Sequence, residues 1–360
     1  MKYPTLTLFL LGLGGLALLQ PAGAESPWTP VDDGVPRAAT TVGKVRVGGD
    51  LRWRYGLLGA HLRYPRDQFS KQRTRLWLEA ELEPTTVVRV GFRDDPLTDL
   101  QVDEAFARRQ VRSATVTVGR QYVLLGPLGL LFNTSLEALS ALRVEGEARG
   151  WKWLGVAGVL EGNDGFLALR AERPFPGGRA GLNLLRTGYH DDRGQSLDVS
   201  WEGPQGRWNA EVSQVDQTGP RKKSGWAWLV GYERDVDPQL MVGGSLGQVD
   251  GTYRPFYSSL THPYLADGVS AFDRPLFLDP DNVASGVEIR ARYRLPQDSL
   301  AQLRWYQGRG RVRGGGHGAV ALGYTRRWDE RTSTSVVVGY QSLGPLPDLW
   351  MIRGEAAWNF

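Results

Sequence analysis

The stretch Met351–Phe360, MIRGEAAWNF, alternates between apolar and polar residues with a period of two. Ile352 and Trp358 fall on one side of this pattern, whereas Arg353 and Glu355 fall on the other. Successive side chains of a β-strand point to opposite faces, so the pattern predicts a strand with one apolar and one polar face. The rest of the chain has to show whether the apolar face meets a protein core or lipid.

The same alternation recurs along most of the chain and predicts 18 strands of roughly 8–12 residues, the length of a tilted membrane strand. The least clear segment is 101–110, QVDEAFARRQ, which is assigned as a strand because both of its neighbours are strands. If the weaker strands near 106 and 199 did not form, the count would be 16. The predicted strands centre near residues 50, 76, 90, 106, 118, 144, 156, 169, 183, 199, 211, 230, 244, 290, 304, 322, 337 and 355.

The connections between these strands alternate in length. The short connections are 83–85, 111–113, 203–206, 236–239, 296–299 and 328–330. The longer ones are 56–70, 94–101, 124–138, 188–195, 217–224, 250–284 and 310–316, with the short segment 162–164 as an exception. Short turns at one end and long loops at the other are typical of an all-β transmembrane antiparallel β-barrel of the outer membrane, with periplasmic turns and extracellular loops.

The composition excludes several other classes of protein. The chain has no cysteine, so disulfide scaffolds and thiolate metal sites are excluded. After the N-terminal segment no run of 18 apolar residues occurs, which excludes a helical membrane protein. The content of 13 Trp, 13 Tyr and 46 Gly suits a barrel with aromatic girdles.

The N-terminus is typical of export. Lys2 precedes the apolar run Leu6–Leu19, and small residues follow at Ala22 and Ala24, which predicts a signal peptide over residues 1–24. The alternative is an uncleaved anchor, although the run is short for a spanning helix. Residues 25–43 are predicted to be a flexible periplasmic lead-in, and residues 44–360 a single barrel domain. Without Lys2 the chain carries 42 basic and 39 acidic side chains, a net charge of +3 that is too small to indicate nucleic acid.

The charged faces of the strands must meet water, because an arginine on the lipid face near the midplane costs ~2–4 kcal/mol. In a barrel of about 16–18 strands that water fills a channel. The predicted pore-lining residues are Arg46, Asp50, Arg52, Arg54, Arg73, Arg75, Glu79, Glu81, Arg89, Arg93, Arg143, Glu145, Glu147, Arg149, Glu288, Arg290, Arg292, Arg294, Arg304, Arg353 and Glu355. The predicted membrane-interface aromatics are Trp53, Tyr55, Trp350, Trp358 and Phe360.

The predicted lumen is more basic than the chain as a whole. On the six clearest strands, those near 50, 76, 90, 144, 290 and 355, thirteen basic side chains face inward against seven acidic ones. A basic lumen raises the local concentration of anions. The alternative is that arginine and glutamate form cross-strand ladders that brace the wall.

Residues 102–139, VDEAFARRQVRSATVTVGRQYVLLGPLGLLFNTSLEAL, resemble the middle of alginate-export-type and related 18-stranded anion porins. The matching residues are Asp103, Glu104, Ala105, Phe106, Gly119, Arg120, Gln121, Gly126, Gly129 and Leu130. The resemblance implies passage of small anionic or sugar solutes, including acidic sugars or oligosaccharides. The terminal aromatic also resembles the signature that the barrel assembly machinery reads in outer-membrane proteins. Arg120 shares the lipid-facing parity of Val118, so either the strand has a bulge near Gly119 or Arg120 lies at the rim.

Two long loops stand out. Residues 124–138 are apolar for an external loop, so they either fold into the lumen as a constriction or cap the barrel. The loop 250–284 carries six aromatic residues that stack on sugars, plug the mouth or pack on one another. Its carboxylates Asp273, Asp279 and Asp281 match no calcium-loop spacing, and no metal or cofactor is predicted.

These observations predict an outer-membrane channel for passive diffusion of small hydrophilic solutes, with a weak anion preference. One alternative is a structural or adhesive barrel with a blocked lumen. Another is a rim hydrolase using His190 beside Asp191 and Asp192, although adjacent residues in a turn do not converge on one substrate atom. The prediction is therefore a protein that is not an enzyme, embedded in outer-membrane lipid, with its solute and oligomeric state left open.

Overall fold

The computed structural model describes residues 39–42, 44–60, 64–95, 98–134, 138–160, 164–188, 191–218, 223–250, 253, 257–258, 283–310, 316–342 and 348–360. Their regular structure is β-strand throughout. Within these ranges, no helix has the length and apolar character needed to cross a membrane.

All eighteen strands predicted from the alternation are present, together with four short ones. The strands are β1 (Ala39–Val42), β2 (Val45–Ala60), β3 (Tyr64–Glu83), β4 (Thr86–Asp95), β5 (Thr98–Val111), β6 (Ala114–Gln121), β7 (Leu124–Leu125), β8 (Phe132–Asn133), β9 (Leu139–Ala148), β10 (Trp151–Val159), β11 (Gly165–Phe175), β12 (Gly178–Thr187), β13 (Arg193–Gly203), β14 (Gly206–Gln217), β15 (Lys223–Asp235), β16 (Leu240–Val249), β17 (Tyr257–Ser258), β18 (Val283–Leu295), β19 (Ser299–Gly310), β20 (Gly316–Arg327), β21 (Thr332–Ser342) and β22 (Leu349–Asn359).

The sheet is antiparallel and closes on itself. Each long strand pairs with its neighbours in sequence, and β22 returns to pair with β2 from Asp50↔Asn359 to Ala60↔Leu349. Beyond this ladder, the Gly49 amide donates to the Phe360 carbonyl at 3.0 Å and the Phe360 amide donates to the Gly49 carbonyl at 3.1 Å. The result is a closed barrel of 18 strands, which leaves no open sheet edge in lipid.

The start of the barrel differs from the prediction. Residues 39–42, assigned from the sequence to a flexible lead-in, form β1 and pair with Val45–Gly48 of β2. They occupy the edge of β2 that β22 leaves free below Gly49, because paired backbone groups are more stable there than an exposed edge. The predicted signal peptide and the rest of the lead-in lie outside the described residues.

Short turns lie at the end of the barrel that also holds β1 and Phe360, which is the periplasmic end in outer-membrane barrels. At the other end, two predicted long connections were wrong. The β2–β3 hairpin continues to Ala60↔Tyr64, and the β4–β5 hairpin continues to Asp95↔Thr98. Beyond the membrane a strand pair needs no apolar face, so its polar residues resemble a loop in the sequence.

The outer face of the barrel is apolar. Trp53, Leu322 and Trp358 are each close to half exposed, which suits contact with lipid and would be unfavourable in water. Trp350 and Trp358 lie eight residues apart on β22, about 26 Å along the strand. Tyr55 opposes Gly354, midway between them, so it lies within the lipid-facing band rather than at an interface as predicted. The closed barrel and this band make the chain an integral outer-membrane protein.

A β-bulge lies on β5. From the sequence, a bulge on the neighbouring strand β6, near Gly119, was one of two explanations for Arg120. The β4–β5 register passes from Gly91↔Glu104 to Phe92↔Val102, so Asp103 is an extra residue. The pairing of β6 with both of its neighbours shows no register shift at Arg120, which opposes Ala105 and Ser140 on the outward face. The irregularity therefore turns the Asp103 side chain and leaves Arg120 on the lipid side.

The closing seam provides a test of the fold. A Cβ added at Gly49 would lie 2.6 Å from Cζ of Phe360 and closer still to the Arg75 carbonyl oxygen. We expect Gly49→Val to lower stability by about 3 kcal/mol or more through overpacking against backbone. The temperature at which the barrel loses its compact migration on a detergent gel measures this loss.

Gly354→Val is the matched control, because a Cβ at Gly354 meets nothing within 4 Å and faces lipid. Equal melting of the two variants would contradict the described closure.

Candidate pore and its lumenal site

Residues 122–134 fold into the lumen. Leu125, Leu131 and Phe132 are 0% exposed, as expected only of side chains enclosed on every side. They belong to one apolar cluster with inward residues of β10–β16, namely Val156, Phe166, Ala168, Leu185, Val215, Ala227, Leu229 and Val249. The same cluster also includes Tyr306, Ala319, Ala321, Val337 and Met351 of β19–β22. The apolar loop therefore lies inside the barrel, fills the half of the lumen bounded by β10–β16 and belongs to a cluster that reaches β19–β22.

A carboxylate on the wall holds the tip of this loop. The Leu128 amide donates to Oε2 of Glu211, a buried residue near the middle of β14. Gly126 has a positive φ of 79°, and a Cβ there would lie 2.6 Å from the same oxygen. Only glycine combines this backbone conformation with so close an approach, so the Gly126 and Glu211 positions depend on each other.

A second anchor comes from the long loop after β16. The Tyr253 hydroxyl donates to the Leu130 carbonyl at 2.7 Å and shares a hydrogen bond of 2.9 Å with the Ser213 hydroxyl. Burial raises the pKa of Tyr253, so the hydroxyl stays protonated and able to donate. Tyr257 in β17 pairs with Phe132 in β8, which adds a second link between the two loops. The other predicted aromatics of 250–284, and its three aspartates, lie outside the described residues.

The filled half of the lumen also holds a buried charge network. Arg170 donates two hydrogen bonds to Asp198, at 2.5 and 3.0 Å, and one to Glu172 at 2.7 Å. Asn183 donates to Asp198 at 2.8 Å. Strands β11–β13 were outside the six used for the charge comparison, so sequence reasoning missed this network. The signal was present in the alternation, because the residues of the network fall on the inward-facing positions of their strands.

On the opposite side, arginines from six strands face the lumen in two groups, named here together the arginine wall. Because β22 pairs with β2, strands distant in sequence become neighbours. Small inward residues on β20 and β21, such as Ala321 and Gly323, separate its two parts. The arginine wall consists of Arg290 and Arg292 on β18, Arg304 on β19, Arg353 on β22, Arg52 on β2, Arg75 on β3, and Arg89 and Arg93 on β4.

Most of these arginines are paired with carboxylates. Nε of Arg75 lies 2.5 Å from Asp50, and Nε of Arg304 lies 3.2 Å from Glu288. Nη2 of Arg290 lies 2.9 Å from Glu233 across the β16 strand. Pairs of this kind support the bracing interpretation for the individual residues.

The bulge on β5 supplies two more partners to the arginine wall. Arg93 lies 3.5 Å from Asp103, and Arg89 lies 3.2 Å from Glu104, measured between side-chain nitrogen and oxygen. Consecutive residues of a regular strand face opposite sides, so the extra residue is what lets both carboxylates face inward. The sequence gives no signal for this, since the bulge is not marked by glycine or proline.

The remaining predicted pore-lining residues vary in position. Arg46 pairs with Glu79, and Arg143 lies 2.5 Å from Glu145. Arg149 does not line the pore: it lies in the β9–β10 turn with a positive φ of 52°. Glu355 pairs with Arg52. Three further residues are exposed near the short-turn mouth, namely Glu81, Glu147 and Arg294. The side chains of Arg54 and Arg73 are outside the described set.

Arg292 differs from the other members of the arginine wall. Its guanidinium makes no hydrogen bond and no ion pair within 4 Å to any described residue. It lines a pocket in the wall together with Arg290, Arg304, Gln302, Ala321, Gly323 and Val337. The pocket exists because β20 contributes only small side chains beside three guanidiniums, and it places cationic groups next to an apolar surface.

The rim carboxylates proposed for a hydrolase have other partners. Asp191 accepts from Arg193 at 2.9 Å and from Arg186 at 2.6 Å, and these hydrogen bonds lower the pKa of Asp191. Asp192 accepts the Thr218 amide at 2.7 Å. His190 lies outside the described residues. A carboxylate held between two guanidiniums is a structural group rather than a proton-transfer group.

The fold is similar to solved structures from Pseudomonas aeruginosa. OccK1 (OpdK) has a TM-score of 0.68 at 12% identity, with 89% of this chain and 100% of that chain covered. OccK3 (OpdO) has a TM-score of 0.68 at 13% identity, with 89% and 96% covered. OpdK has also been solved with vanillate, with a TM-score of 0.66, 12% identity and coverages of 89% and 100%.

At these identities the likeness is one of fold, and the fold class they share is the 18-stranded outer-membrane barrel. No protein-family model matches the chain, and no match is found among curated proteins. The resemblance to alginate-export-type porins stays a prediction, since the similar structures named here are OccK1 and OccK3.

The anchoring of the loop by Glu211 can be measured directly. In Glu211→Ala the Leu128 amide loses its acceptor, a change that costs about 1–3 kcal/mol when the donor is buried. We expect deuterium exchange in the peptide covering 126–131 to accelerate about tenfold or more. Glu211→Gln, which keeps an acceptor oxygen, should restore most of the protection.

Asp216→Ala is the control, since Asp216 is on the same strand but exposed and bonded to Ser224 at 2.5 Å. If exchange in 126–131 were unchanged in Glu211→Ala, the loop would be held by its apolar contacts alone.

Proposed function

We propose that this protein is a passive outer-membrane channel for small organic anions. The observation that carries the proposal is the polarised lumen: a loop fixed to one side, and the arginine wall with the unpaired Arg292 on the other. The solute path runs between these two surfaces. A wall lined by guanidiniums attracts anions and raises their local concentration.

The paired and unpaired arginines have different roles in this proposal. Paired arginines are largely neutralised and keep the wall rigid, which fixes the pore diameter. Arg292 offers free donors to a passing anion, and a carboxylate accepts from guanidinium in a planar, bidentate geometry. A single such site binds an anion weakly enough for it to leave again, as conduction requires.

The pocket beside Arg292 favours a solute with an apolar part next to its charge. Ala321 and Val337 supply apolar surface at the same place as three guanidiniums. Vanillate, present in the OpdK structure, is an aromatic carboxylate and has this combination of groups. The enclosed space is small, so in this proposal the carboxylate group of such a solute reaches the pocket while the rest of the molecule stays in the lumen. Acidic sugars belong to the same class of organic anions.

Reversal potentials in a planar bilayer under a salt gradient test the proposal. We expect anion selectivity in the wild type, and a two- to fivefold lower anion-to-cation permeability ratio in Arg292→Gln. The size follows from removing one charge near the ion path, where its interaction with an ion is about 1 kcal/mol in water.

Arg186→Gln is the control, because it removes the same charge from the outer rim on the lipid side. Cation selectivity of the wild type would refute the anion preference. An unchanged anion-to-cation permeability ratio in Arg292→Gln would show that Arg292 does not determine the selectivity.

A second candidate is a barrel whose lumen is blocked, with a structural role. The complete burial of Leu125, Leu131 and Phe132 favours it, because a loop packed this well is also suited to a plug. The absence of current through the wild type, together with current through a variant in which 126–131 is replaced by a shorter glycine-serine link, would support the plug. Current through the wild type excludes it.

A further inference from the structure

The outward face carries aromatic side chains near the short-turn end of the barrel. Trp151, Trp208, Trp328 and Trp358 are all exposed there, beside the turns or the closing seam. Indole rings at this level lie at the boundary between acyl chains and headgroups. Cationic side chains among these rings therefore face the phosphate region of the inner leaflet.

Arg326 is held in a defined position by one of these rings. Its guanidinium carbon lies 4.0 Å from the ring centroid of Trp328, a cation–π contact. The Trp328 indole nitrogen donates to Thr334 at 2.9 Å, which fixes the plane of the ring. Nε of Arg326 is buried and has no hydrogen-bond partner among the described residues. The guanidinium is therefore held in place on the ring, and contact with an external acceptor has to come from its two Nη groups rather than from the buried Nε.

The same arrangement occurs a second time on the far side of the barrel. The guanidinium carbon of Arg173 lies 5.4 Å from the ring centroid of Trp151. Arg173 is on β11 opposite Ala180, on the outward parity of Leu167 and Leu169. It makes no hydrogen bond or ion pair to a described residue. Two unrelated strand pairs thus present an arginine on a tryptophan at the same membrane level.

The opposite rim of the barrel gives a contrast. There the outward Arg186 and Arg193 oppose each other and are bridged by Asp191 at 2.6 and 2.9 Å. Arg186 and Arg193 therefore share a carboxylate of the same chain as their partner. At the short-turn end, Arg173 and Arg326 have a ring beneath them and no carboxylate, so their charge is left for a partner outside the chain.

We propose that Arg326 on Trp328 and Arg173 on Trp151 bind the phosphates of acidic phospholipids in the inner leaflet. A guanidinium stacked on a ring keeps its edge N–H groups free, and these match a phosphate in a bidentate geometry. The acyl chains of the same lipid meet the apolar band above. A lipid satisfies both features together, whereas a free phosphate satisfies only the charge.

Native mass spectrometry of the purified, folded barrel tests this. The probes are phosphatidylglycerol and phosphatidylcholine with identical acyl chains, and inorganic phosphate in a separate titration. We expect the wild type to retain phosphatidylglycerol more strongly than phosphatidylcholine. Arg173→Gln and Arg326→Gln should each weaken phosphatidylglycerol binding about fivefold, and the double variant should remove the preference.

The controls separate charge, stacking and lipid. Arg186→Gln removes an outward arginine that already has a carboxylate partner, and should leave lipid binding unchanged. Arg326→Lys keeps the charge but loses the planar fork, and should fall between wild type and Arg326→Gln.

Three results would overturn the proposal. The first is equal retention of the two lipids by the wild type, and the second is wild-type retention of phosphatidylglycerol by the double variant. The third is competition by inorganic phosphate at millimolar concentration, which would show a simple anion site. Unchanged melting of the variants on a detergent gel confirms that any loss of lipid does not come from unfolding.

Discussion

The pairing of β22 with β2 determines what the lumen is. Without it the chain would be an open sheet with two unpaired edges, which lipid does not tolerate. Closure also makes neighbours of strands from the two ends of the chain, so Arg353 of β22 lies on the same side of the barrel as the arginines of β2–β4. No local segment contains this arrangement. It is a property of the closed ring, and the Gly49 contact with Phe360 lies at its seam.

Once the ring is closed, its interior has to be occupied by side chains or by water, and the two halves of the lumen differ in this respect. The half bounded by β10–β16 is filled by an apolar loop, tied to Glu211 by a backbone amide and to Tyr253 through the Leu130 carbonyl. The other half keeps its arginines facing the space that the loop leaves. An 18-stranded ring is wide enough to hold both, so the position of the loop limits the free space in the lumen more than the strand number does.

The strands could be predicted from the sequence because both faces constrain the residue type. Outward positions meet lipid and are apolar, whereas inward positions meet water and are polar, which gives a period of two. The positions that could not be predicted lack one of these constraints. Above the membrane the β2–β3 hairpin has no lipid face, so its pairing to Ala60↔Tyr64 resembled a loop. The bulge at Asp103 reverses the inward and outward alternation within one strand. Only the three-dimensional contact between Asp103 and Arg93 shows this change. Arg149 kept the right parity but lay one residue too far along, in the turn.

The charge comparison from sequence covered only part of the lumen. It used six strands, five of which belong to the arginine wall, and left out the strands that carry Asp198, Glu211 and Glu233. Counting charges also treats every arginine as equal, whereas a paired guanidinium presents little net field to a solute. Among the described residues Arg292 has no partner within 4 Å and is attracted to Glu233 and Glu288 only over a longer distance. Such partners depend on the cross-strand register, which a count of charges does not contain. If the proposed anion preference rests on Arg292, it depends on cross-strand register as much as on composition.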